Sequence, residues 1–289
     1  MSTEADIKQE VREFYDQVGW QEVGEGVYQN ARYEDLRPVS RDYIHRCHLR
    51  VNRHLKPTGH FLLDAGSGPI QYPEYLTYSQ GYDFRVCADI SHVALKDARK
   101  RAGEGHALCV VADVAHLPFA NDVFDGLVSL HTLHHLPQDE HIPAYQELYR
   151  VLKVDSTGVV VNGWGDARIP RLLVKPMRWM NRIIGILRRI FGIQAPLHPA
   201  KPSPTPESEQ RKSTFVRKYD AEWLKDQLTP ILAFDIFVWR AVSVKHLRTF
   251  VHSGFGGRIL LRLLFWLEAR APRYFGENGQ YPLVVIRKD

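Results

Sequence analysis

FLLDAGSGPI, residues 61–70, places an apolar run against an acid and a glycine turn. An apolar run closing in Asp64 and opening into Gly66-Ser67-Gly68-Pro69 predicts a buried strand that turns towards a helix, with the backbone bared at the turn. Such a turn is a docking place for a nucleotide-like ligand.

Downstream, the same pattern repeats. FRVCADIS, residues 84–91, predicts a second strand ending in Asp89, with Ser91 as the cap of a helix over HVALKDARKRAG. HALCVVADV predicts a third strand over Leu108 to Val114, ending in Asp113. LPFANDVFDGLVSL leads into a fourth strand ending near Leu130, followed by the histidine segment HTLHHLP and a helix over QDEHIPAYQELYRVLK. GVVVNGWG, Gly158 to Gly165, is a fifth strand. Strands alternating with helical patterns imply right-handed crossovers and a mostly parallel sheet with helices on both faces. Ligands of such sheets bind beyond the carboxyl ends of the strands, where Asp64, Asp89, Asp113 and the histidines all fall.

Upstream, residues 5–55 read as helical; Ile44, Cys47, Val51 and Leu55 follow a plausible cap at Ser40 with one-sided spacing. At 289 residues, 44% hydrophobic and 25% charged, the chain can bury one elaborated domain. MSTEADIKQEVREF has neither the basic start nor the apolar stretch of a signal peptide. Three cysteines, Cys47, Cys87 and Cys109, indicate neither a disulfide framework nor a zinc site, and no metal is expected. A reducing cytoplasm fits this composition best.

At these residues the sequence resembles the class I S-adenosylmethionine-dependent methyltransferases, in particular the small-molecule branch with quinone and natural-product methyltransferases. The likeness runs from about Leu62 to Val161. It implies an α/β fold: a doubly wound, mostly parallel seven-stranded Rossmann-like sheet, with an N-terminal helical cap and two insertions in the C-terminal half. It implies S-adenosyl-L-methionine as cofactor, with Asp64, Ala65, Gly66, Ser67 and Gly68 passing the backbone close to its methionine end. Glycine suits that approach because it has no Cβ. By the same resemblance Asp89, beside Ile90, accepts from the ribose hydroxyls. Asp113 accepts from the adenine amino group with Val114 beside the ring, while Ser129, Leu130 and Tyr15 complete the site. The family commonly has a third glycine near position 70, where this chain has Pro69-Ile70; Pro69 could begin the helix.

Two other readings of the turn stay open. A nicotinamide-dependent (NAD(P)) oxidoreductase also has a glycine turn and a later acid, although Gln71 stands where its third glycine is wanted. A catalytically silent cofactor-binding or RNA-binding protein of the same fold is the other.

Methyl transfer from a sulfonium asks the protein to align the partners, exclude water and take a proton from the acceptor where needed. His131, His134 and His135 are the candidate bases, with His134 and His135 ahead. The segment lacks the Asn/Asp-Pro-Pro-aromatic sequence of enzymes acting on base or glutamine nitrogens, and no Pro-Cys nucleophile marks a pyrimidine-carbon enzyme. A lipophilic small molecule is the expected acceptor, with oxygen favoured over carbon or nitrogen. Tyr15, Trp20 and Tyr28 are read mainly as core of the cap.

The expected organisation is 1–57 cap, 58–166 cofactor-binding core, 167–217 basic insertion and linker, and 218–289 the end of the sheet, interrupted by a second insertion at about 247–279. From Arg168 to Phe191 the first insertion holds arginines and one lysine without an acid. As a helix over 176–191 it sets Met177, Trp179, Ile183 and Ile190 against Arg178, Arg182 and Arg189. That basic-apolar pattern is one used at membrane surfaces, so membrane association through 176–191 is an open alternative to a purely cytoplasmic location; nucleic acid is disfavoured. GGRILLRLLFWLEARAPRYFGENG, in the second insertion, is apolar on most sides and too interrupted by charge to span a bilayer. The two insertions together read as a lid over the acceptor. Acceptor identity and oligomeric state are left open by the sequence.

Overall fold

The structure is a computed structural model and describes residues 4–24, 27–29, 34–191 and 214–289. Strands of the main sheet are β1 (Gly59–Ala65), β2 (Tyr82–Asp89), β3 (Ala107–Val111), β4 (Phe124–Leu130), β5 (Leu152–Val161), β6 (Ala233–Arg240) and β7 (Tyr281–Lys288). Helices of seven or more residues are α1 (Glu4–Phe14), α2 (Arg41–His48), α3 (His92–Ala102), α4 (His141–Val151), α5 (Arg168–Phe191), α6 (Ala221–Leu228), α7 (Val244–Phe250), α8 (Gly257–Arg270) and α9 (Pro272–Asn278).

The seven strands run in the order β3-β2-β1-β4-β5-β7-β6. All neighbours are parallel except β7, which lies antiparallel between β5 and β6. The central strands are apolar on both faces because both are covered, with alternate residues feeding opposite layers. Leu63, Val86, Leu127 and Val160 join one core; Leu62, Cys87, Val128 and Val159 join the other. Each such leucine contributes about 1.5–3 kcal/mol on full burial. Strand order reverses between β1 and β4, and a crevice opens there at the carboxyl ends.

Local signals place the helices that frame this crevice. Ser91 caps α3, its Oγ accepting from the Ala94 amide at 3.0 Å. Asp220 caps α6 in the same way, through the Trp223 amide at 2.8 Å. Several boundaries differ from the sequence pattern. β3 stops at Val111, leaving Asp113 in the following turn, where it bridges to His116. β5 begins at Leu152, six residues before the expected start. Pro69 begins no helix; the first helical turn after β1 starts at Pro73. Ile70, where a glycine was expected, takes φ 55°, the conformation glycine favours, and is held there by near-complete burial.

The first insertion forms a helix eight residues longer than expected, with Pro176 inside it. Proline forfeits a backbone hydrogen bond there, but the other turns of this 24-residue helix retain theirs. The proline-rich stretch 195–210 lies outside the described residues. The second insertion forms α7, α8 and α9 and is tied to the N-terminal cap by buried polar contacts. Glu268 of α8 accepts from Tyr43 Oη at 2.7 Å and Arg50 Nη2 at 2.8 Å. Arg37 donates to the carbonyls of Leu247 and Val251, each at 3.0 Å. Cap and insertion therefore fold as one flank, with Val39, Tyr43, Ile44, Leu247, Leu261 and Phe265 sharing a third core.

Candidate active site

The crevice is a cleft of about 340 Å³ lined from β1, β2 and β4, the turn after β3, the N-terminal segment and residues 214–218. At one end lies the glycine turn. Gly66 (φ 74°) and Gly68 (φ 51°) both use the left-handed region. A Cβ on Gly66 would strike Thr132, and one on Gly68 would lie 2.9 Å from the Trp20 ring. Glycine is therefore needed at both, and the backbone between them stays open to the cleft.

Each acid of this end is fixed by a neighbour. Asp64, at the end of β1, is buried and ion-paired with Arg85, whose Nε donates to it at 3.1 Å. Asp89 accepts from the amides of Gly68 and Ser91, both at 2.8 Å. Its burial pushes its pKa up to about 6, against the lowering effect of those two amides. Asp113 accepts from the Ala115 amide at 2.9 Å and is ion-paired with Lys8, which also reaches Glu140. Burial would raise the Asp113 pKa, but Lys8 and its hydrogen bonds outweigh it, so the carboxylate titrates below its ordinary range. Asp113, His116 and Glu140 are the only metal-ligand grouping among the described residues, and the Lys8 ammonium bridges two of its three members.

Beyond the turn stand the three histidines. His131, immediately after β4, has φ 57° and lies edge-on to Trp239 and Tyr281, with ring centroids 4.9 and 5.7 Å away. His134 Nδ1 lies 3.2 Å from Asn162 Oδ1. An amide oxygen can only accept, so the Asn162 Oδ1 contact puts a hydrogen on His134 Nδ1. His134 then carries its proton on Nδ1 and keeps a lone pair at Nε2. His135 uses both nitrogens: Nδ1 donates to the Phe215 carbonyl at 2.8 Å and Nε2 accepts from Tyr15 Oη at 2.8 Å. Burial is the main cause that keeps all three imidazoles neutral, with pKa about 3 for His131, about 4 for His135 and well below the usual value for His134.

Of the residues singled out from the sequence, Asp64, Gly66, Ser67, Gly68, Asp89, Ile90, Asp113, Val114, Leu130, Tyr15 and the three histidines line this one cleft. Ala65 and Ser129 are fully buried behind it, joined by the Ser129 Oγ bond to the Ala65 carbonyl at 2.8 Å. Tyr15, named for the site, and Trp20, read mainly as core, stack at 4.9 Å and face the cleft, whereas Tyr28 is buried. Lys8, Glu34, Asn162, Lys218, Arg240 and Tyr281 escaped the sequence reading. None sits in a motif, and only Asn162, just past a strand end, carried a positional signal.

Residues 63–160 match the family described as Methyltransferase domain. This part of the chain is a methyltransferase domain, and S-adenosylmethionine is the cofactor such a domain implies. A tRNA (carboxymethyluridine(34)-5-O)-methyltransferase of Arabidopsis thaliana is 29% identical over an alignment covering 40% of this chain and 31% of the relative. The chain thus spans about a third of that relative's length. Among solved structures, the fold is similar to geranyl diphosphate C-methyltransferase from Streptomyces coelicolor (TM-score 0.53, 13% identity, 100% of both chains). It is also similar to the [4+2]-cyclase SpnF (TM-score 0.53, 16% identity, 99% of this chain and 97% of that one). Phosphoethanolamine N-methyltransferase 1 of Haemonchus contortus matches with TM-score 0.59 and 11% identity, over 100% of this chain and 50% of that one.

The cleft fits that cofactor on its own geometry. A backbone that only glycine can form and a carboxylate at the end of β2 are what a ligand with a ribose and a charged amino-acid tail requires.

Proposed function

We propose that this domain methylates the hydroxyl oxygen of a lipophilic small molecule, with His134 as general base. The observation that carries the reading is the Asn162-His134 hydrogen bond, which holds a neutral imidazole at the cleft with no partner for its Nε2 among the described residues. Asp89 would accept from the ribose hydroxyls and Asp113 from the adenine amino group, with Gly66 and Gly68 against the methionine end. When bound, S-adenosylmethionine supplies a methyl carbon on a sulfonium. His134 Nε2 takes the proton of the acceptor hydroxyl as that oxygen becomes a nucleophile, while Asn162 steadies the resulting imidazolium through Nδ1. Tyr15 and Trp20 cover the cleft and exclude water. His135, with both nitrogens engaged, orients Tyr15 rather than moving a proton.

Incubation with tritiated S-adenosylmethionine and an organic-solvent cell extract tests this. Label should enter the organic phase and be found on oxygen. His134→Ala should lower the rate about 10²–10⁴-fold without changing cofactor affinity. Bound cofactor with no label in the organic phase would reject the lipophilic acceptor.

A second reading concerns location. Leu172, Trp179, Ile186 and Ile190 of α5 and Ile259, Leu263 and Trp266 of α8 are all exposed. Every exposed charge described on these two helices is basic, since Glu268 is buried. Leu173 and Leu264 pack both helices against the same flank core. Among the described residues no helix is long and apolar enough to cross a membrane. Paired apolar-basic helices on one flank suit an anionic lipid surface, each basic side chain adding about 1 kcal/mol near it. Flotation with phosphatidylglycerol-containing vesicles should recover the protein and flotation with pure phosphatidylcholine should not. Equal recovery, or retention by a bulk tRNA pool in place of vesicles, would overturn the lipid reading.

A further inference from the structure

The histidine end of the cleft holds more positive charge than the fold itself uses. Charges around it are Glu34, Glu74, His48, Arg240 and Lys218. Arg240, buried at the end of β6, is ion-paired with Glu34. His48 lies between Glu34 and Glu74, within 4.0 and 3.4 Å of their oxygens. Those two carboxylates are thus balanced by Arg240 and a histidine whose carboxylate neighbours, outweighing its burial, favour its charged form.

Lys218 is left over. Although the residue is exposed overall, its ammonium end reaches into the cleft: a Cβ built on Gly163 would lie 3.2 Å from its Nζ and 3.5 Å from the Tyr281 ring. The other side of this region is Arg240, whose guanidinium carbon stands 4.6 Å from the centroid of the same Tyr281 ring. Among the described residues Lys218 has no acidic or hydrogen-bonding partner. Arg240 Nε and Thr214 Oγ1 are likewise buried without a hydrogen-bond partner, and both residues line the cleft. Burial alone lowers the Lys218 pKa, so its charge is held at a cost that an anion would relieve. Beside these groups the described lining includes the neutral His131 and His134 and the Tyr281 ring, and Glu34 there is already ion-paired with Arg240.

We infer that Lys218, with Thr214 and Arg240, forms an oxyanion subsite beside His131 and His134, so that the acceptor is an amphiphilic acid bearing a carboxylate or phosphate on an apolar body. The subsite would fix the acceptor by its charged group and leave its hydroxyl to His134. This rests on the methyltransferase reading of the cleft and deepens it by naming the substrate class.

The test uses the full chain saturated with S-adenosylhomocysteine and two probes of nearly equal shape, 4-hydroxybenzoate and 4-hydroxybenzamide, titrated by calorimetry or ligand-observed NMR. The acid should bind at least about tenfold more tightly, as a charge-assisted hydrogen bond requires. Lys218→Met should abolish that preference and Lys218→Arg should retain most of it, with S-adenosylhomocysteine affinity unchanged in both. Equal or absent binding of the two probes by the cofactor-loaded wild type would overturn the inference, as would a preference that survives Lys218→Met. A loss of S-adenosylhomocysteine affinity in Lys218→Met, with the probe preference intact, would assign the lysine to the cofactor's own carboxylate instead. Failure of the wild type to bind S-adenosylhomocysteine at all would overturn the methyltransferase reading, and this inference with it.

Discussion

The two ends of the cleft are built on different terms. At the glycine turn every acid already has its partner: Asp64 has Arg85, Asp89 has two backbone amides, and Asp113 has Lys8. At the histidine end Lys218, Thr214 Oγ1 and Arg240 Nε have none among the described residues. A site whose polar groups are satisfied before the ligand arrives is preorganised and changes little on binding. Polar groups left without partners are stabilised only by what binds there. On the proposed reading, the contrast separates the part that belongs to a common cofactor from the part that selects an acceptor.

The largest break should come from Arg85→Met. It leaves Asp64 buried without its counter-charge and should destabilise the fold by about 3–5 kcal/mol, seen as a lower denaturant midpoint. A loss under about 1 kcal/mol would mean that the glycine end is not locked in the way the contrast requires. Asp89→Ala comes next: S-adenosylmethionine affinity should fall about 10–100-fold in calorimetry, the loss of a charged hydrogen-bond acceptor, and the Gly68 and Ser91 amides left without it should lower stability by about 1–3 kcal/mol.

The pH dependence of binding should be smaller. Because Asp89 titrates near pH 6 and must be ionised to accept from hydroxyls, affinity should hold above that pH and weaken below it. The limit is about tenfold per pH unit. His134, neutral through this range, should add no acid limb to the turnover rate near pH 6.5.

Tyr15→Phe should have the smallest effect. Removing the hydroxyl that His135 accepts from should cost about 1 kcal/mol of stability and leave chemistry at His134 intact. A rate loss as large as that of His134→Ala would instead make His135 the base and redraw the histidine end.

Legibility in the sequence followed the same division. The turn Gly66-Ser67-Gly68 and the acids Asp64 and Asp89 were readable because strand ends and glycine turns are local events, governed by neighbours a few residues away. Ser91 as a cap was readable for that reason too, and the first five strands of the main sheet were found, with errors only in their ends. The long second insertion read as a lid. It proved joined to the N-terminal cap through Glu268, Tyr43 and Arg50, a contact spanning more than two hundred residues that no local pattern records.

Periodicity marked α8 as apolar on most sides, but only packing showed which sides meet the core and which stay exposed. Tyr15 and Trp20 could have been core or cleft on composition alone; the stacking of one on the other at the cleft wall decided it.

By itself, then, FLLDAGSGPI and the acids that follow it in order determine a strand-turn-helix fold and the kind of ligand its turn accepts, because those depend on backbone conformation and strand period. The histidines were visible, but their surroundings were not: Asn162, twenty-eight residues on, holds Nδ1 of His134 and leaves Nε2 without a partner among the described residues, while both nitrogens of His135 are held by Tyr15 and Phe215. Lys218 and Arg240 come together with Tyr281 only through the antiparallel insertion of β7 between β5 and β6. Charge balance in a pocket is a sum over groups brought together in space, and tertiary structure alone decides which groups enter that sum.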